Sequence, residues 1–182
     1  MKKLLLILSA AALLQACGGK NGAETSTADA AKDSLLLRIH GVETAINTNM
    51  KAAILDPHLA SQAVQYYTEF AKAYPKDTNA PMFLFRASDI ECNAMHQYDQ
   101  ALGMLNTIIS DYPQFRKLPI CYFQVGVIYD DNLNDDQKAK EAYEKFLANY
   151  PNHPLAPQVK ALISYLGKSN EELLKEFEQK NK

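Results

Sequence analysis

Residues 139–151 read AKEAYEKFLANYP, residues 101–113 read ALGMLNTIISDYP, and residues 63–75 read AVQYYTEFAKAYP. Each segment ends in Tyr-Pro, and Pro75, Pro113 and Pro151 stand 38 residues apart. Each opens on an alanine, Ala63, Ala101 or Ala139. Four residues on comes a large apolar side chain (Tyr67, Leu105, Tyr143), and seven on another (Phe70, Ile108, Phe146). A single Tyr-Pro carries little information, because proline often follows a helix that it cannot continue. Three copies in register with three further columns are an internal structural repeat.

The helical period fills the intervals. Leu35, Leu36, Ile39, Val42, Ile46, Met50 and Ile54 recur at steps of three and four, one face of a buried helix. Asp56-Pro57-His58 interrupts it, and a second helix runs over 59–74. Further helices are predicted over about 80–95, 98–112, 118–129, 135–150, 156–166 and 170–179. The last starts at Ser169-Asn170-Glu171-Glu172, a capping-box pattern in which Ser169 and Glu172 satisfy free backbone N–H groups. No stretch alternates as a strand does.

The third unit, Tyr122-x-x-Val125-Gly126-x-x-Tyr129, then Ala139-x-x-x-Tyr143, then Pro151, resembles the tetratricopeptide repeat. Gly126 and Ala139 are small where paired helices cross, and the aromatic residues fill the space beside them. One period earlier Ser88 replaces the glycine and Glu91 the tyrosine; in the first unit Met50 takes the glycine position. The period of 38 exceeds the 34 usual for the family, which implies longer turns. Envelope lipoproteins of the outer-membrane β-barrel assembly type and periplasmic coordinators of envelope constriction carry similar Tyr-Pro-terminated repeats. The resemblance implies an all-α, right-handed solenoid of about three and a half to four antiparallel helix pairs over 34–182.

The N-terminus points to a compartment. Met1-Lys2-Lys3 is followed by an apolar run from Leu4 to Leu14. As a helix that run rises only about 16 Å, too short for a bilayer core of about 30 Å, so 1–16 reads as a secretory signal. Leu14-Gln15-Ala16-Cys17 resembles a bacterial lipobox, although Gln15 departs from the small or β-branched residue usual there. The resemblance implies cleavage before Cys17 and lipidation of its side chain. Gly18, where an aspartate would signal inner-membrane retention, implies the outer membrane, periplasmic side. Residues 17–33, with no bulky apolar side chain after the cysteine, are expected to form a flexible tether.

Composition narrows the function. The net charge of −2 leaves no basic field, which argues against nucleic acid. No nucleophile elbow, Gly-rich phosphate loop or CxxC occurs. His40, His58, His96 and His153 show no ligand spacing, and three of them fall near turns, where solvated loop residues are the simpler reading. Asp130, Asn132, Asn134, Asp136 and Glu141 match five positions of a calcium loop, but Asp135 stands where that loop needs glycine. The repeat register claims the same stretch as a turn. Cys92 and Cys121 are displaced by about 13 Å along neighbouring parallel helices, beyond disulfide reach, and are expected to be free thiols. No catalysis, cofactor or metal is expected.

A protein or peptide partner is what the resemblance implies, held on a concave face lined by the first helix of each pair. Mapped by register, that face shows Asn47 and Lys51, then Phe85, Asp89, Cys92 and Asn93, then Phe123, Val127, Asp130 and Asp131. Phe85 and Phe123 share a column and read either as an exposed aromatic pair or as core, with a register displaced by one. The Lys/Asn constellation by which some family members clamp a terminal carboxylate is absent. The competing function is a glycan or small-ligand module in the same groove, favoured by convergent polar groups with little exposed apolar surface.

Overall fold

A computed structural model describes residues 27–49 and 55–180. Among the described residues the chain forms α1 (Thr27–Asn49), α2 (Pro57–Ala73), α3 (Ala80–Asn93), α4 (Tyr98–Asp111) and α5 (Leu118–Val127). A π-helical turn (Ile128–Asn132) continues α5, and α6 (Asp136–Asn149), α7 (Ala156–Tyr165) and α8 (Asn170–Lys180) follow, with no strand. Helices pack mainly on their sequence neighbours, so the fold is a helical solenoid of the tetratricopeptide type. Met50 and Ile54, placed on the first apolar stripe, lie outside the described residues, as do Lys51 and the signal and lipobox segments.

The repeated Tyr-Pro has a direct backbone consequence. A proline disfavours the α conformation at the residue before it. Tyr74, Tyr112 and Tyr150 accordingly leave the helix with nearly the same angles: φ −129°, −126° and −134°, ψ 59°, 61° and 54°. Each tyrosine N–H still donates to the last turn, to the carbonyls of Phe70, Ile108 and Phe146. Each tyrosine carbonyl then accepts from the residue three ahead, Asp77, Phe115 or His153, and the next helix begins. Those helices start at Ala80, Leu118 and Ala156, each with proline second (Pro81, Pro119, Pro157), where a missing N–H leaves no bond unmade.

The turns inside the pairs repeat as well. Met95 and Leu133 donate to the carbonyls five residues back, Ile90 and Ile128. Gln97 and Asp135 reach six back, to Glu91 and Tyr129. His96 (φ 55°) and Asn134 (φ 51°) occupy the left-handed region at the same repeat position. Part of the long period thus lies in these wide turns.

Three buried clusters run along the solenoid. Leu35, Ile39, Val42, Tyr67, Phe70 and Phe83 join α1 to α2 and α3. Phe85, Leu105, Ile108, Cys121, Val125 and Ile128 join α3 to α5 and the turn after it. Tyr143, Phe146, Ala156 and Val159 join α6 to α7. Ala63, Ala101 and Ala139 have no exposed surface, as the close crossings require. The capping box of α8 forms: Ser169 N–H donates to Glu172, and Glu172 N–H to the Ser169 hydroxyl.

One boundary moves. Residues 27–33, read as tether, are helical. Ala28, Ala30 and Ala31 favour helix, Asp29 lies in its first turn, and Lys32 pairs with Asp77 in the first inter-repeat loop. That pair holds the Asp77 carboxyl below its ordinary range.

Candidate functional site

The face of the first helices is built from one side of α1, α3 and α5. On it Glu43 accepts from the Tyr67 hydroxyl at 2.8 Å and from the Arg86 guanidinium, joining α1, α2 and α3. Gln124 donates to Asp89 at 2.7 Å, joining α5 to α3. The Tyr143 hydroxyl donates to Asp130 at 3.1 Å. A recess of about 320 Å³ opens between α1 and α3, beside Glu43, Asn47, Arg86 and Asp89. A smaller one, about 90 Å³, lies between α3 and α5 beside Asp89, Cys92, Asn93, Gln124, Val127 and Asn132.

Of the residues mapped to this face, Asp89, Cys92, Asn93 and Val127 come together at the smaller recess, and Asn47 lines the larger. Asp130 is half-buried under Tyr143, and Asp131 is exposed on the π-helical turn. Burial raises the pKa of both Asp89 and Asp130, while the bonds from Gln124 and Tyr143 act in the opposite direction.

The two phenylalanines are a correction. Phe85 is only 5% exposed, with its ring 6.1 Å from Phe115 and the Lys117 ammonium 4.6 Å above it. Phe123 is half-buried against Tyr143 and Phe146. Both are packing residues. At this column the register is displaced by one, to Arg86 and Gln124, which sequence reading missed, while Asp89, Cys92, Asn93 and Val127 line the face as mapped. A single turn of helix places apolar and polar columns side by side, and alternation alone did not separate them. Glu43 was missed too; its signal was a lone acid at an otherwise apolar turn of α1.

Elsewhere, His153 is half-buried edge-on to Phe146, not solvated, and its Nδ1 accepts from the Leu155 N–H. The calcium-like stretch is used structurally, with Asp135 capping α6 at the Lys138 N–H. Among the described residues no group of three His, Cys, Asp or Glu is placed to hold a metal ion, and no helix is long and apolar enough to cross a membrane. Cys92 and Cys121 are unpaired; Cys121 is fully buried, which pushes its thiol up to about 12.

One carboxylate stands apart. Glu91, 3% exposed, has a buried oxygen with no partner, and burial raises its pKa. The amide oxygen of Gln124 is likewise buried and unpartnered, at the smaller recess.

A tetratricopeptide repeat model matches residues 121–153, which span α5, the π-helical turn, α6 and the third Tyr-Pro. Such repeats mediate binding between proteins. The chain is also 25% identical over 126 residues to a serine/threonine-protein kinase PknD of Protochlamydia amoebophila (strain UWE25). That match takes in 65% of this chain and 13% of the kinase, so the chain spans a small part of its relative's length.

Proposed function

We propose that the chain is a non-catalytic scaffold of the bacterial cell envelope, lipid-anchored through Cys17 at the outer membrane, that holds an extended segment of a partner protein along its first-helix face. The observation that carries this is the polar ladder across the first helices of three successive pairs, α1, α3 and α5: Asn47, Arg86, Asp89, Asn93 and Gln124. Neighbouring helices lie about 8–10 Å apart, a distance that an extended chain covers in about three residues. Successive main-chain groups of one segment can therefore meet successive helices. With Phe85 buried, affinity comes from this ladder and the shallow apolar floor of Ile46, Ile90 and Val127.

A photocrosslinking residue at Asn93 or Asp131 should capture one envelope protein in cells, whereas one at Lys145, on α6, should not. Arg86→Ala with Gln124→Ala should abolish the crosslink and leave the helical circular-dichroism signal intact. Crosslinks from Lys145 alone would move the site to the second helices, where a recess of about 430 Å³ lies between α4 and α6.

The burial of Phe85 favours a second reading, a small polar ligand such as a glycan in the larger recess. It requires a melting-temperature rise with soluble oligosaccharide, sensitive to Arg86→Ala, and no crosslinked protein.

A further inference from the structure

The two ends of the solenoid differ in charge. At one end lie the inter-repeat loops, where Lys76, Arg116 and Lys117 outnumber Asp77 and Asp111; at the other lie the turns within pairs, of which the one after α5 carries Asp130, Asp131, Asp135 and Asp136. Neither Lys76 nor Arg116 has an ion-pair partner among the described residues, whereas Asp77 beside them is taken by Lys32. Between the two loops runs a recess of about 830 Å³, floored by Pro75, Pro81, Met82, Pro113 and Phe115 and rimmed by those cations with Asp77 and Asp111.

We propose that this loop end is a membrane-facing surface that takes anionic lipid headgroups, with the apolar floor against the upper acyl region. The proposal rests on acylation of Cys17. α1 begins at this end, as the Lys32–Asp77 pair shows. Nine residues separate Cys17 from Thr27, a reach of at most about 35 Å. The acidic turn lies a further helix length away, about 22 Å for α5 and the π-helical turn that continues it. An anionic surface attracts Lys and Arg within a Debye length, about 8 Å, and repels the acidic turns. The anchor supplies proximity, and the charge polarity supplies orientation. The first-helix face, running between the two ends, is then presented sideways along the membrane.

The test uses the acylated full-length chain in vesicles of phosphatidylcholine alone or in equal mixture with phosphatidylglycerol. Amine-reactive labelling is followed at single lysines by mass spectrometry. Lys76 and Lys117 should react about five-fold more slowly on the anionic vesicles, an effect that high salt removes, while Lys138 and Lys140 stay unchanged. In a Lys76→Glu, Arg116→Glu variant of unchanged helicity, Lys117 should regain its rate on phosphatidylcholine. Equal rates on both vesicles, or protection of Lys138 and Lys140 as well, would overturn the docking and leave the anchor standing. Protection by an acidic polypeptide with none by anionic vesicles would also overturn it. A purified chain without acyl groups on Cys17 would remove the anchor and the proposal together.

Discussion

At Gly126 a methyl group would run into the ring of Tyr143, which is 1% exposed and held through its hydroxyl to Asp130. One repeat earlier the same two positions are Ser88 and Leu105, both buried beside the smaller recess. Volume given up at one position is taken at the other. Gly126→Ser alone should cost about 1–3 kcal/mol through overpacking. Adding Tyr143→Leu should recover most of that, less about 1 kcal/mol for the lost hydrogen bond. A double-mutant cycle in urea measures the coupling; strictly additive losses would mean that the two positions do not share one space. Glu91 gives a second test at this scale. Its folded pKa is raised, so its contribution is fully present below the unfolded value and lost as pH rises through the folded one. Glu91→Gln, which removes the buried charge, should therefore stabilise the protein at pH 7 by about 1 kcal/mol, and the advantage should fade toward pH 4. Urea midpoints at both pH values decide it, and an advantage that persists at pH 4 would rule out the titration. Asp77 works with the opposite sign: its support, from Lys32, is present at neutral pH and lost as acid protonates it.

Between elements, adjacent residues of α3 divide the work. Phe85 is enclosed by Phe115 and Lys117, whereas Arg86 reaches out to Glu43 with its side chain about half exposed. Phe85→Ala should destabilise by about 3–5 kcal/mol, the range for a buried aromatic truncated to alanine. Arg86→Ala, at an exposed ion pair, should cost no more than about 1 kcal/mol. Thermal melts of the two variants compare them directly; a larger loss for Arg86→Ala would restore the register that places Phe85 on the outer face. The helix pairs themselves were legible in the sequence because Pro75, Pro113 and Pro151 set the helix ends through a local steric rule, and Ala63, Ala101 and Ala139 set the crossings through size. The Pro81, Pro119 and Pro157 column carries the same information and marks the starts of α3, α5 and α7. The outer face was less legible, since Phe85 and Arg86 differ by one step of 100° and tertiary neighbours such as Phe115 and Lys117 enclose the one and not the other. Glu91 was opaque for a related reason: its burial depends on how α3 meets its neighbours, which no local pattern records.

For the molecule as a whole, the proposed reading gives the solenoid and the N-terminal segment separable tasks. The described helices bury their apolar stripes in three consecutive clusters, and none is long and apolar enough to cross a membrane. On the proposed reading, attachment comes from Cys17 and its acyl chains, each buried methylene contributing about 0.8 kcal/mol, with the loop-end cations adding orientation. Cys17→Ala removes the chains without touching any buried cluster. The variant should melt at the same temperature as the processed wild type, yet move from the membrane to the soluble fraction of the envelope. Three cations near an anionic surface are worth about 3 kcal/mol, too little to retain a protein through fractionation at moderate salt. A Cys17→Ala protein that stays wholly in the membrane fraction, with its signal segment removed, would place the anchor elsewhere in the chain. The same preparation separates adaptor from anchor: if the Asn93 crosslink survives in the soluble protein, the first-helix face recognises its partner unaided, and the lipid serves to hold that face where the partner is.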